Sequence, residues 1–219
     1  MVLKMSDVRY PFMAVCWGGA ITIAIYIVGG VSGAHLNLAV TAALVVWDGF
    51  DKKKAVCYIT AQILGAFCAV AMVYYLFSSG INGMEEVNGW VRGTAEGTGA
   101  MGIFVTGAAA GVSMFKAFIS ETVITAMLVL TIYAVTDKGN VSAPDTGIGD
   151  IAIGAIVIFC GIAFGLLTGF AMNPARDFGP RLFVMAAGWG KYTLGSDFYG
   201  LIVSIIGPFS EVFKAVEFF

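Results

Sequence analysis

Charge is what this sequence has least of. Asp, Glu, Lys and Arg make up 12% of its 219 residues, where soluble domains carry roughly 25%. With 59% of the chain hydrophobic, no soluble fold of this length could hide its apolar surface, and composition leaves a membrane protein. The net charge of −2 excludes a nucleic-acid surface built on excess Lys and Arg. Histidine is reduced to His35, so a His-based metal set or a second catalytic imidazole is absent. Cys16, Cys57, Cys68 and Cys160 are scattered through apolar segments without metal spacing and read as core or lipid-facing residues. No Gly-rich nucleotide loop followed by Lys-Ser/Thr occurs. No signal peptide is expected, because the first apolar stretch is too long and lacks a cleavage site. Together these absences speak against an enzyme and imply no metal and no cofactor.

What is plentiful is apolar run. A spanning helix needs about 20 such residues. Residues 10–47 carry no Asp, Glu, Lys or Arg over 38 positions, more than one span and less than two with a turn. Residues 55–77 form one clean span, 117–136 another broken only by Glu121, 151–168 a fourth, and 198–215 a weak fifth. The expected fold is an all-α membrane protein with about five spanning helices. A polar, Gly-rich loop is expected over residues 78–113, with Glu85, Glu86, Arg92 and Glu96. The Lys52–Lys54 cluster marks the cytoplasmic side, which puts the long loop outside and Lys138 inside. The sequon Asn140-Val141-Ser142 then lies in the cytoplasm and carries no glycan.

Two short stretches repeat. Ser32-Gly33-Ala34-His35-Leu36-Asn37-Leu38-Ala39 matches Thr168-Gly169-Phe170-Ala171-Met172-Asn173-Pro174-Ala175, 136 residues later. Three spans separate them, and an odd number turns the second copy upside down. Inverted repeats place a substrate path where the copies meet, near the midplane. After Asn37 the apolar run lasts ten residues, to Trp47, or roughly 15 Å of helix, half the hydrocarbon thickness. Asn37 and Asn173 are therefore expected as N-caps of half-helices, with Pro174 in a first turn where its missing N–H is no loss. The extended residues ahead of each cap survive at membrane depth only beside a wet route or buried in protein. Asn173-Pro174 merely ending a span is the competing reading, and the second copy counts against it. The chain reads as one membrane domain, 1–219, with a first repeat over about 1–77 and a second over about 115–219.

His-Leu-Asn-Leu-Ala and Met-Asn-Pro-Ala-Arg, each opening a half-helix, resemble the paired Asn-Pro-Ala motifs of the aquaporin superfamily. Residues 169–181, from Gly169 through Arg176-Asp177 to Arg181, are similar to its glycerol-facilitator (aquaglyceroporin) branch. The resemblance covers nearly the whole chain. It implies an aquaporin-like helical bundle with an inverted repeat and two re-entrant half-helices, a homotetramer with one pore per subunit in the cell membrane. The implied activity is a passive channel for glycerol and other small uncharged solutes, with water. The family's selectivity filter falls on Trp17 and Phe170 as aromatic walls, Arg176 as hydrogen-bonding cation, and Gly161 where water-selective members place a histidine. Asn37 and Asn173 mark the pore midplane, and the carbonyls of Gly33, Ala34, His35, Gly169, Phe170 and Ala171 line the lane. Glu121 accepts hydrogen bonds from a re-entrant loop. The chemistry fits a polyol, whose CH edge suits an aromatic corner and whose OH edge suits Arg176 and bare carbonyls. Both half-helices aim positive ends at the midplane, which disfavours cations and protons.

Other readings stay open beside these. Trp17 could be an interfacial belt residue, His35 a proton relay, and Glu121 an ion-coupling site. Gly161, Gly165 and Gly169 form a ladder that ordinarily means close helix packing; packing is the whole account of the ridge Ala61, Gly65 and Ala69. Asp177 either pairs with a neighbouring Arg or caps its half-helix. The chain departs from the family in three ways. Leu38 replaces the usual proline of the first motif, with little expected effect. The span that precedes Trp17 in the family, with its own glutamate, has no counterpart in Met1–Tyr10, so the 33–36 loop is expected to lose its buttress, and Lys4 and Arg9 tend to hold the N-terminus in the cytoplasm. Glu211, Lys214 and Glu217 charge the last span along one stripe. These departures motivate an alternative function: a truncated, non-conducting subunit that associates with full-length channels. A secondary transporter is the third reading, with Glu121 as its only support.

Overall fold

The computed structural model describes residues 9–145 and 147–212. Lys4, Lys214 and Glu217, with the side chains of Arg9 and Glu211, lie outside what is described, so the expectations placed on terminal charge do too. Among the described residues, four helices are long and apolar enough to cross a membrane. α1 (Arg9–Ser32) stops where Gly33 turns left-handed at φ 71°, a conformation open to glycine at no steric cost. α2 (Leu38–Trp47) is the first half-helix, ten residues long as expected. α3 (Lys52–Asn88) is capped by Asp51, whose carboxylate accepts from Lys54 N at 2.8 Å. α4 (Thr98–Met101) is a single turn in the linker. α5 (Met114–Thr136) and α6 (Ile148–Thr168) are full spans, and α7 (Pro174–Val184) is the second half-helix.

Two boundaries differ from expectation. The polar loop expected from Ser78 begins only at Gly89, because residues 78–88 continue α3. No proline interrupts that stretch, and Gly89 at φ 65° is the first residue to leave the helix for the left-handed region. The projecting end is tied down by Arg92. Its guanidinium donates to both Glu85 carboxylate oxygens (2.7–3.1 Å), to the Tyr74 hydroxyl (2.6 Å) and to Asn82 Oδ1 (3.0 Å), and lies 4.4 Å from the Trp189 ring centre. The Glu85 hydrogen bonds hold the Arg92 pKa above its ordinary value. Arg92→Met is expected to lower stability by about 1–3 kcal/mol, read as a drop in the thermal midpoint of detergent-purified protein; an unchanged midpoint would show the clamp to be dispensable.

The weak fifth span is the second difference. Residues 199–212 form a helix in pieces: α8 (Tyr199–Leu201), a π turn (Ile202–Ile206) and α9 (Gly207–Val212). Pro208 has no N–H to return to the carbonyl four residues back, which favours such a break.

The packing follows the repeat. α1 crosses α6 where Gly18 lies against the Gly154 carbonyl and Gly154 against Thr22 Oγ1, with no room for a Cβ at either position. Gly154 follows Gly18 by the same 136 residues that separate Asn37 from Asn173, so both helices bring the same repeat position to the crossing. α5 packs on α6 and α9, and α3 packs on α7. The α3–α7 contact runs through Gly179, where a Cβ would lie 2.7 Å from Ile63 O and 2.8 Å from Ala66 Cβ. The Ala61–Gly65–Ala69 ridge, expected to pack, is exposed, with nothing within 4 Å of a Cβ on Gly65. Ile63, Ala66 and Phe67 lie on the opposite face of the helix, and that face meets α7. The largest apolar cluster joins α1, α5 and α6 to Phe170 and Met172, and so seats the second re-entrant loop in the core.

Candidate functional site

The two stubs meet at their caps. Asn37 Oδ1 accepts from Ala39 N (2.8 Å) and Val40 N (3.4 Å), and Asn173 Oδ1 from Ala175 N (3.1 Å). Each amide nitrogen reaches across: Asn37 Nδ2 donates to Met172 O at 2.9 Å, and Asn173 Nδ2 to Leu36 O at 2.8 Å. A carboxamide has two N–H bonds, so one hydrogen of each ties the seam and the other has no acceptor among the described residues. Leu38 adds a bond that a proline could not make, from its N–H to Asn173 Oδ1 at 3.1 Å. Pro174 offers no return. The departure at Leu38 therefore strengthens the seam on one side.

Ahead of each cap the backbone is strained. Ala34 (φ 52°), Phe170 (φ 40°) and Met172 (φ 52°) are non-glycine residues in the left-handed region, which costs roughly 1–2 kcal/mol each and persists only where surroundings hold it. Glu121, fully buried on α5, supplies that hold in the second loop: its two carboxylate oxygens accept from Ala171 N (2.9 Å) and Met172 N (2.8 Å). In the first loop the support comes from elsewhere. Gln62 on α3 donates to His35 O (2.7 Å) and Thr41 Oγ1 (2.9 Å), and Ser32 Oγ accepts from Ala34 N (3.3 Å). The expected loss of buttressing is thus met in part by Gln62, a residue that no sequence motif marks out. Of the carbonyls expected to be bare, His35 O takes the Gln62 amide and Ala34 O takes Leu36 N at 2.7 Å. Those of Gly33, Gly169, Phe170 and Ala171 receive no donor from the described residues. His35 bonds Thr41 Oγ1 through Nδ1 (3.2 Å), and its ring packs 4.4 Å from Phe50 and 4.9 Å from Tyr58. That is an aromatic cluster with no carboxylate in it, a setting for packing rather than proton relay.

The residues expected to form the filter lie together. Trp17 and Phe170 stand nearly perpendicular, 83° apart with centroids at 6.5 Å, and form the expected corner. Arg176 differs in placement. Instead of facing the corner across a gap, its guanidinium carbon rests 4.6 Å from the Trp17 ring centre. Its nearest counter-ion is Asp177 at 4.0 Å, and it makes no hydrogen bond to a described residue. With its side chain 19% exposed and no hydrogen bond to a described acceptor, the guanidinium takes the aromatic face. Gly161 adjoins the same corner: a Cβ there would lie 2.7 Å from Ala14 Cβ and 3.2 Å from the Phe170 ring. The space it leaves is filled by Phe170 instead of by open lumen.

Asp177 pairs with an arginine, one of its two expected roles. Its Oδ2 accepts from Arg181 Nε at 2.5 Å, one helical turn on, and both groups are buried. Its Oδ1 accepts from Thr106 N and Oγ1, both at 2.8 Å, while Arg181 also donates to Thr106 O (2.6 Å) and Thr193 O. This network clasps the segment around Thr106 onto α7. The four-residue spacing of Asp177 and Arg181 is its one trace in the sequence.

With this geometry established, comparison with known proteins decides the family. The family model described as Major intrinsic protein matches residues 3–211. The chain belongs to that family. The "Glycerol uptake facilitator protein" of Pseudomonas aeruginosa is 44% identical over 210 residues, covering 94% of this chain and 75% of that one. The "Propanediol uptake facilitator PduF" of Salmonella typhimurium is 41% identical over 210 residues, covering 94% and 79%. The X-ray structure of the aquaglyceroporin from Plasmodium falciparum superposes with a TM-score of 0.83 at 30% identity, covering 99% of this chain and 84% of that one. These similarities set this major intrinsic protein in the aquaglyceroporin branch, as an integral membrane protein and not an enzyme.

Proposed function

We propose that this major intrinsic protein is a passive channel for glycerol and other small uncharged solutes, with water moving through the same lane. The observation that carries the proposal is the pairing of unlike walls. The Trp17–Phe170 corner offers carbon a surface. Arg176, the second amide hydrogens of Asn37 and Asn173, and four carbonyls offer hydroxyls donors and acceptors in file. An entering polyol replaces the Arg176–Trp17 contact with its own two edges, carbons on the rings and hydroxyls on the guanidinium. Exchanging one contact for another suits conduction, since binding must be favourable enough to enter and weak enough to leave. No energy source is needed. We read the chain as one domain of two inverted repeats, acting in the cell membrane as a homotetramer with one lane per subunit. The first loop, expected to lose its buttress, is held by Gln62 and Ser32, so the loop does not favour the alternative of a non-conducting subunit.

Proteoliposome swelling tests the proposal: glycerol entry at the rate of empty vesicles would overturn it. Arg176→Ala sharpens the test. A unit charge at about 5 Å and an effective dielectric near 20 is worth roughly 3 kcal/mol. Water in the lane screens part of this, and leak of a small cation such as methylammonium is expected to rise about tenfold. Glycerol flux changes less. A leak equal to wild type would remove Arg176 from the barrier.

A further inference from the structure

Four positions converge at the filter, and a fifth residue touches them from behind. Tyr10, in the first turn of α1, is 6% exposed. Its ring meets the Phe170 ring edge-on, at 6.3 Å between centroids and 72° between planes. Its hydroxyl has no hydrogen-bond partner among the described residues and lies directly on Gly165, where a Cβ would collide with it. The same Cβ would come within 2.7 Å of Phe170 Cδ1. Gly161 and Gly165 thus make a shallow trough on α6 that takes two aromatic rings side by side, Phe170 and Tyr10.

We infer that Tyr10 is a positioning residue for selectivity: by filling the trough beside Phe170 it fixes how far that ring stands into the lane, and so sets the largest solute admitted. The backbone of Phe170 is already held, because its N–H donates to Thr168 Oγ1 at 3.2 Å and the next two N–H groups are bound by Glu121. What is left to vary is the ring. Trp17 limits it on one side and the glycines limit it below. Tyr10 limits it along the trough, within the apolar cluster that holds both rings. Among the described residues its hydroxyl makes no bond that would explain it, so bulk is the property at work, and phenylalanine would supply nearly the same bulk. With Tyr10 shortened, the trough has room for the Phe170 ring to swing away from Trp17, and the corner opens.

This inference rests on the channel reading, and the test is built to separate the two. 4-Fluorophenylalanine is placed at position 170, and its ¹⁹F spectrum is recorded in detergent-purified protein, with and without Tyr10→Ala or the milder Tyr10→Leu. Ring seating is read this way whether or not the protein conducts. A shifted or motionally narrowed line in either variant, returned to the wild-type line by Tyr10→Phe, is the expected result. Parallel swelling assays compare glycerol with a five-carbon polyol. The ratio of five-carbon to three-carbon flux is expected to rise at least about threefold in the shortened variants, within the range that a change in pocket shape gives, and to return in Tyr10→Phe. An unchanged ¹⁹F line in both Tyr10→Ala and Tyr10→Leu overturns the seating role. A loosened ring with an unchanged flux ratio overturns the selectivity role. Wild-type protein that conducts nothing rejects the channel reading and, with it, the selectivity role, while the spectrum still decides the seating.

Discussion

Glu121→Leu is expected to abolish glycerol flux and to reduce the yield of folded protein. The two N–H groups that Glu121 binds belong to Ala171 and Met172, in a loop already strained at Phe170 and Met172. Leucine matches the volume but offers no acceptor. An unmet buried donor costs about 1–3 kcal/mol, so two cost roughly 2–6 kcal/mol, and the apolar side chains that seat the loop bring no acceptor to replace the carboxylate. The loop relaxes its left-handed turns, the carbonyls rotate, and Phe170 leaves the corner. Glu121→Gln is expected to fall between, because its amide oxygen serves one N–H while its NH₂ faces the other. Swelling assays on matched amounts of inserted protein measure the function, and the thermal midpoint measures the fold. Full flux in Glu121→Leu would show that the loop holds itself. It would also leave ion coupling unsupported, since a coupling carboxylate could not be spared either.

Gly161→His is expected to cut glycerol flux at least about tenfold while water flux changes far less. Overpacking of a tight contact costs typically 1–3 kcal/mol, and about 1.4 kcal/mol is a factor of ten. The route by which this happens is the informative part. A Cβ at 161 already crowds Ala14 and the back of the Phe170 ring, so the first atoms added push Phe170 toward Trp17. Gly161→Ala, which adds nothing but that Cβ, is therefore expected to slow glycerol by itself. Were Gly161 to face open lumen, a methyl group there would be nearly neutral. Equal glycerol flux in Gly161→Ala and wild type would return Gly161 to the lumen wall and sever its link to Phe170.

The residues proposed to define the lane are legible in the sequence because they repeat. Gly33-to-Asn37 and Gly169-to-Asn173 are local devices: a glycine to turn left-handed, an asparagine to cap, and ten apolar residues that cannot span. Nothing distant is needed to read them, and the half-helix of α2 ends where the apolar run ends. Trp17, Phe170, Arg176 and Glu121 follow from family likeness laid on that frame. The fold brings Trp17, Phe170 and Arg176 together, while Glu121 reaches the loop behind them.

What is illegible depends on approach between segments far apart in the chain. The anchoring of α3's projecting end comes from Arg92 folding back to Glu85 and onto Trp189. The exposed Ala61–Gly65–Ala69 ridge is indistinguishable by sequence from a packed one, since small residues state only that close approach is allowed. Gln62 as a prop for the first loop, Leu38 N–H as a seam bond and Tyr10 behind Phe170 are the same kind of fact. By itself the sequence determined a membrane chain with two inverted stubs meeting at asparagines, because charge scarcity, helix length and capping are properties of neighbours. Only the tertiary structure decided which face of each helix is covered, where Arg176 rests and what fills the space beside Gly161. Those are settled by which surfaces pack once the stubs have met, and a one-dimensional pattern holds no record of that choice.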